Sequence, residues 1–280
     1  MAVLLALGSA VVYGTSDFLG GLASRKASVF GVVALSQVAG LVALLALLPW
    51  LGGTTGLADL AWGAAAGIAG AAALVLFFRT LASGVMSVVA PVTAVTAAAV
   101  PVLAGLLGGE RIGVWSAIGI ALALIAVVLV SAEGGLAALR AARPASIPPA
   151  LAAGAGFGIF FVLLDRTGDD TGLTPLVAAR LASVALVIVL ALLGRRPLRV
   201  GRTALPLVVL SGVGDMTANS LFLLATQAHS QLAIVGVLAS LYPVSTVVLA
   251  QVLLREKLVP AQLAGLASAF AAVVLITLPA

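Results

Sequence analysis

Three ionisable side chains lie inside long apolar stretches of a 280-residue chain: Asp17, Arg180 and Asp215. Placing such a group at a bilayer centre costs about 2.5–3.5 kcal/mol even on insertion scales, so intramembrane charges are functional candidates by default. Arg180 falls seven residues into its apolar run and Asp215 twelve residues into the next. At about 1.5 Å per helical residue these positions lie roughly 10 Å and 18 Å from opposite faces. In a hydrocarbon core about 30 Å thick the two depths nearly coincide, and the spacing predicts an Arg180–Asp215 ion pair between sequential helices. Such a pair either pins two helices or exchanges partners with a charged ligand. Asp17 stands near the far end of the first run, with Tyr13 one turn away on the same face. A carboxylate there binds a proton or a cationic group, or else reaches interfacial water.

Four further residues accompany these charges. Asn219 follows Asp215 by four positions and shares its helix face. Tyr242 precedes Pro243, whose missing N–H and ring clash loosen a helix, so a hinge with freed carbonyl groups is expected there. The single histidine, His229, falls in a tight turn and reads as a solvated interfacial imidazole. Trp62 and Trp115 near run ends read as interfacial anchors. Gly63 with Gly67, and Gly154 with Gly158, have the small-residue spacing that lets membrane helices approach closely.

The elements that must position these groups follow from composition. Hydrophobic residues make up 63% of the chain and charged residues 8%, with a mean hydropathy of +1.30. Soluble globules carry roughly 25% charge, so the chain belongs in a bilayer. The net charge of +5 resides in short gaps between apolar runs, where it orients helices and does not point to nucleic acid. With no cysteine, disulfide frameworks, thiolate metal sites and cysteine nucleophiles are excluded. No phosphate loop, metal-ligand spacing or cofactor motif occurs, so no cofactor or metal is expected.

Runs long enough to span the bilayer fall near residues 2–22, 30–51, 60–82, 85–107, 113–131, 147–165, 174–194, 203–227, 230–253 and 260–279. The first run lacks the basic start of a signal peptide and is read as a retained helix. Gly84 to Arg111 and Ser230 to Lys257 are long apolar segments that both end in an acid followed by a base, and Glu110 and Glu256 stand 146 residues apart. Tyr13-Gly14 likewise aligns with Phe157-Gly158. These pairs mark an internal duplication: a five-helix repeat over 1–131, a linker over 132–146 and a second five-helix repeat over 147–280. An odd number of helices per repeat inverts one copy relative to the other. The fold class is therefore an all-α integral membrane protein of ten transmembrane helices in two inverted repeats. Glu110-Arg111 and Glu256-Lys257 read as turn-forming charge pairs at helix ends. The fifth and tenth runs, with the fewest polar residues, are expected at the periphery or at a homodimer contact.

Lys and Arg distribute unequally between the two sets of gaps. The gaps after runs 1, 3, 5, 7 and 9 hold Arg25, Lys26, Arg79, Arg140, Arg143, Arg195, Arg196, Arg199, Arg202, Arg255 and Lys257. The other face holds Arg111 and Arg166. The positive-inside rule then places the first face in the cytoplasm and both termini outside, in the cell's inner (plasma) membrane.

This arrangement resembles the EamA-type transporters of the drug/metabolite transporter superfamily. The resemblance covers essentially the whole chain. It is sharpest over LASLYPVSTVVLAQVLLREKLVPAQLAGL, with Pro243 thirteen residues before Glu256, and at Arg180, where the family often carries an arginine. In the first half Ala97 stands at the place of Pro243 and Ser36 at that of Arg180. The resemblance implies a secondary transporter or exporter of a small metabolite, amino acid or amphipathic drug. It also implies cytoplasmic termini for many members, against the charge count here. Two rival readings remain at this stage. Gly212 to Asp215 form a GxGD string like the second aspartate motif of intramembrane aspartyl proteases, with Asp17 offered as its partner; a passive membrane scaffold is the other.

Overall fold

Every apolar run becomes a helix, because in lipid the backbone must satisfy its hydrogen bonds within the segment. The structure is a computed structural model that describes residues 1–83, 86–131, 147–228, 231–255 and 258–278. The 132–146 linker with Arg140 and Arg143, and His229, Glu256 and Lys257, lie outside the described residues. In the first half α1 is Ala2–Ser24, α2 Val29–Leu51, α3 Leu57–Ser83, α4 Met86–Leu107 and α5 Val114–Ser131. In the second half α6 is Ile147–Asp165, α7 Thr174–Leu193 and α8 Leu205–Gln227. The ninth span is divided into α9, Leu232–Ala239, and α10, Tyr242–Leu254, and α11, Pro260–Thr277, completes the chain. Among the described residues nine spans are long and apolar enough to cross a membrane, and α4, with 22 residues, has the length of a tenth.

Helix starts follow local chemistry. The Ser28 hydroxyl caps α2 by accepting from the N–H of Gly31 at 3.1 Å. Prolines at 175, 206 and 260 occupy first turns, where a missing N–H is harmless. α3 starts at Leu57, ahead of the expected 60, because the Asp59 carboxylate accepts from the Gly56 N–H at 2.8 Å and organises that first turn. The break in the ninth span falls at Ser240 and Leu241, so that Pro243 is the second residue of α10. There the Ser240 N–H and hydroxyl both turn back to the Gly236 carbonyl, at 3.0 and 2.6 Å. In the first repeat, with Ala97 at the corresponding place, α4 runs unbroken through Pro91 and Pro101.

Eight spans close into a ring. In contact order they are α1, α8, α2, α7, α3, α6, α4, the ninth span, and α1 again. Exchanging each helix for its counterpart in the other repeat, α1 for α6 and so on, leaves this order unchanged, which is the signature of a two-fold relation between inverted halves. Paired glycines carry the same relation to the atomic level. A Cβ on Gly119 of α5 would meet Ile276 Cγ1 of α11 at 2.7 Å, and one on Gly265 of α11 would meet Val130 Cγ2 of α5 at 2.7 Å. Both steps are 146 residues. α5 and α11 thus pack on each other within one chain, outside the ring, and their exposed residues, among them Ile118, Ile125, Leu263 and Phe270, face outward.

Candidate functional site

The ring encloses a cavity of about 550 Å³, within the range of small-molecule sites. Its lining runs along α1 from Tyr13 to Ser24, along α2 from Val32 to Gln37, and along α3 from Gly67 to Phe77. By helix direction this carries the cavity from the bilayer middle to the face where α1 ends, the arginine-rich face. Val130 and Ser131, at the end of α5, line its rim there, so α5 is not wholly peripheral.

Arg180 and Asp215 are brought together: Nη2 of Arg180 lies 2.6 Å from Oδ2 of Asp215. The arginine side chain is 11% exposed and the aspartate 36%, so the guanidinium is packed in the wall while the carboxylate meets cavity space. α7 and α8 are sequential neighbours, but the pair bridges them across α2, which stands between them in the ring. α2 contributes to the same wall, where the buried Ser183 hydroxyl of α7 donates to Oε1 of Gln37. Sequence reasoning missed Gln37 and Ser183, which lie 146 residues apart, the duplication offset, and that offset was the available signal.

Asn219 is one turn beyond Asp215, as its spacing required. Its Nδ2 donates to the Asp215 carbonyl at 2.7 Å, while its buried Oδ1 has no partner among the described residues. Asp17 is exposed to the cavity from α1. One turn earlier, Tyr13 sits against Tyr242, ring centroids 6.4 Å apart, and against Phe161 at 6.2 Å. Phe161 in turn packs on Phe222 at 4.4 Å. These are both of the chain's tyrosines, from opposite ends of the sequence. With the phenylalanines they floor the cavity toward the face that holds the N-terminus. Pro243 also lines the cavity, and the adjoining turn is tied to α1 by Ser245 to the Ala10 carbonyl at 3.0 Å and Thr246 to the Gly14 carbonyl at 3.1 Å.

Beyond that floor the two repeats are laced together. The loop after α2 pairs with the loop after α6: Thr54 N–H donates to the Asp170 carbonyl at 3.0 Å and Leu173 N–H to the Leu51 carbonyl at 2.9 Å. Asp59 Oδ1 accepts from Gly168 N–H at 3.0 Å, and the Gln227 amide donates to Thr171 Oγ1 and the Gly172 carbonyl, both at 3.0 Å. The Glu110 carboxylate corrects a sequence expectation. It does not form a local turn pair with Arg111 but crosses to the N-terminus of α9, accepting from Leu232 and Ala233 N–H. Free N–H groups at a helix start attract a carboxylate more strongly than a solvated neighbouring base does. Trp62 and Trp115 are both exposed near helix starts, as membrane anchors are.

The GxGD string serves packing and pairing. A Cβ on Gly212 would collide with the Ser36 carbonyl of α2, and Asp215 is held by Arg180.

Two inverted helical repeats around a central cavity with a built-in charge pair define a multi-pass membrane protein of transporter architecture. The EamA-like transporter family model matches residues 1–132 and 146–278. The chain belongs to that family, whose members are transporters. A crystal structure described only as that of a protein superposes with a TM-score of 0.78 at 20% identity, covering 99% of this chain and 96% of that one, and so shares the fold. No curated protein matches the chain.

Proposed function

We propose that this protein is a secondary transporter that moves a small organic molecule through the central cavity by alternating access. The observation that carries this reading is the asymmetry of the cavity: it reaches the arginine-rich face, while an aromatic floor and cross-repeat hydrogen bonds stand between it and the other face. An inverted repeat supplies the complementary state, in which the halves exchange conformations. The arginine excess supports a cytoplasmic location for the open face and an outer location for both termini. A substrate loaded from that side leaves on the other, so the direction is export. The substrate and coupling candidates are Tyr13, Asp17, Arg180, Asp215, Asn219 and Tyr242, with Pro243 at the hinge. The domain division at the 132–146 linker belongs to the same proposal.

The test uses the absence of native cysteine. Ser36→Cys, on the cavity wall, is labelled with a membrane-impermeant maleimide applied from either side of sealed vesicles. Labelling is expected from both faces. Linking Thr54→Cys to Asp170→Cys with a short bifunctional thiol reagent, before the label is applied, should abolish labelling from the terminus side only. Labelling from one side alone, regardless of the link, overturns alternating access.

A protease reading would need Asp17 and Asp215 to share a proton. Asp215 instead has Arg180 as its partner.

A further inference from the structure

The two halves of the ring present chemically opposite walls to the cavity. α1 and α8 pack together on one side, and their counterparts α6 and α3 pack together across from them. At positions related by the duplication on α1 and α6, Ser16, whose buried hydroxyl donates to the Ser211 carbonyl of α8, stands where the other copy has Phe160, and Asp17 faces the cavity where the other copy has Phe161. On α8 and α3 the offset that pairs Gly212 with Gly67 sets Asp215 against Gly70 and Asn219 against Leu74. Apart from Gly212, every residue in these pairs is part of the cavity lining. The duplication has therefore diverged into a polar wall and an apolar, aromatic wall, although packing between the repeats remains symmetric.

The charges that line the cavity do not cancel. Among the described lining residues Asp17, Asp215 and Arg180 are the ionisable acids and base, a net charge of −1 when all are ionised. Arg180 is committed to Asp215 at 2.6 Å, so among the described residues Asp17 is the cavity carboxylate without a cation. An anionic ligand would have to draw Arg180 away and leave two carboxylates facing one cavity, which low-dielectric surroundings penalise. A cationic ligand meets Asp17 directly and leaves the existing pair intact. Nearby, Asn219 Oδ1 is a buried acceptor without a donor among the described residues, and Tyr13 and Tyr242 offer ring faces that attract cations.

We propose that the cavity is a binding site for amphipathic amines, with a protonated amino group held at Asp17 on the α1–α8 wall and an aromatic or branched aliphatic body against Phe157, Phe160 and Leu74 on the α6–α3 wall. This names the substrate class of the transport cavity and rests on that reading of it.

Equilibrium binding to the full protein in lipid nanodiscs tests the assignment with three probes: tryptamine, indole-3-propionate of the same ring system but opposite charge, and butane-1,4-diamine without an apolar body. Tryptamine should bind saturably and at least about tenfold more tightly than either of the others, because only it satisfies both walls. Asp17→Asn should remove most of the preference for tryptamine over indole-3-propionate, and Asp17→Glu should retain it. Phe160→Ser should weaken tryptamine while leaving butane-1,4-diamine unchanged. The proposal is overturned if indole-3-propionate binds as tightly as tryptamine, if Asp17→Asn keeps the preference, or if the folded wild-type protein shows no saturable tryptamine binding. Binding does not require translocation, and the maleimide experiment does not require a ligand. Acid preference with labelling from both faces would sink the amine and leave the transporter; amine preference with labelling from one face would do the reverse.

Discussion

The Glu110 carboxylate accepts the backbone N–H of Leu232 at 2.6 Å, so the loop after α4 caps a helix of the other repeat. The same carboxylate takes the Ala233 N–H at 3.1 Å, and the Gln231 amide donates to the Arg111 carbonyl at 2.9 Å. A cap contributed across repeats stabilises α9 and ties the halves together on the terminus-bearing face. Glu110→Ala should lower stability by about 1–2 kcal/mol, the usual worth of a good N-cap, read as an earlier thermal transition in detergent. Glu110→Gln, which keeps one acceptor oxygen, should recover part of it. An unchanged transition for Glu110→Ala would show that α9 needs no cap from outside its own repeat.

Arg180 and Asp215 call for a graded expectation. A fully buried partner left unpaired costs about 3–5 kcal/mol, but Asp215 is 36% exposed to the cavity and retains hydration. Arg180→Ala should therefore destabilise by about 1.5–3 kcal/mol, the range for a hydrogen bond to a charged group. Combining it with Asp215→Asn should restore expression and thermal stability further than it restores transport. If the double variant transports at the wild-type rate, the pair is a pin between helices, and Asp17 with Tyr13 is left to couple the cycle.

The glycine contacts yield a paired prediction. Gly67 of α3 lies against the Ala179 carbonyl of α7, and Gly212 of α8 against the Ser36 carbonyl of α2, the same crossing in two copies. No flexible side chain stands there to yield, so Gly67→Leu and Gly212→Leu should each cost more than the about 1–3 kcal/mol of ordinary overpacking and lower the folded yield. Gly21, where an added Cβ meets nothing within 4 Å, should accept Leu with little loss. Folded yields that do not separate Gly21→Leu from the other two would contradict the close crossings.

The helices, the inverted repeat and the charge pair were legible because each follows from a one-dimensional signal. Apolar length sets a span, an offset of 144 to 146 residues sets the symmetry, and depth from each helix end placed Arg180 beside Asp215. What was not legible depends on which helices become neighbours. Gln37 with Ser183 and Tyr13 with Tyr242 meet only after the eight-helix ring closes, and neither pair carries a local pattern. Glu110 was misread for the same reason: its next-door base, Arg111, is visible in sequence, while the orphan N–H groups of α9 are 122 and 123 residues away. The polar and apolar walls could have been found by comparing duplicated positions for difference as well as for likeness.

Orientation sets two signals against each other. The resemblance to the family implies cytoplasmic termini, whereas eleven Lys and Arg residues against two place the termini outside. Charge bias acts during insertion through short loops, and most of the gaps here are short, such as Arg25 to Ser28 between α1 and α2. The gap between α7 and α8 alone holds Arg195, Arg196, Arg199 and Arg202. On the terminus-bearing face the α2–α3 loop from Gly52 to Gly56 has no charge, the α4–α5 loop carries Arg111 beside Glu110, and the α6–α7 loop carries Arg166 beside Asp169 and Asp170, so the charge count favours a non-cytoplasmic location for that face. A C-terminal alkaline phosphatase fusion should accordingly be active and a green fluorescent protein fusion dark. Replacing Arg195, Arg196, Arg199 and Arg202 with Gln should shift a fraction of molecules toward the opposite result, since these four supply over a third of the bias. A bright fluorescent fusion with an inactive phosphatase in the wild-type protein would place the open face of the cavity outside the cell, and the structure would then represent the state that releases an exported substrate.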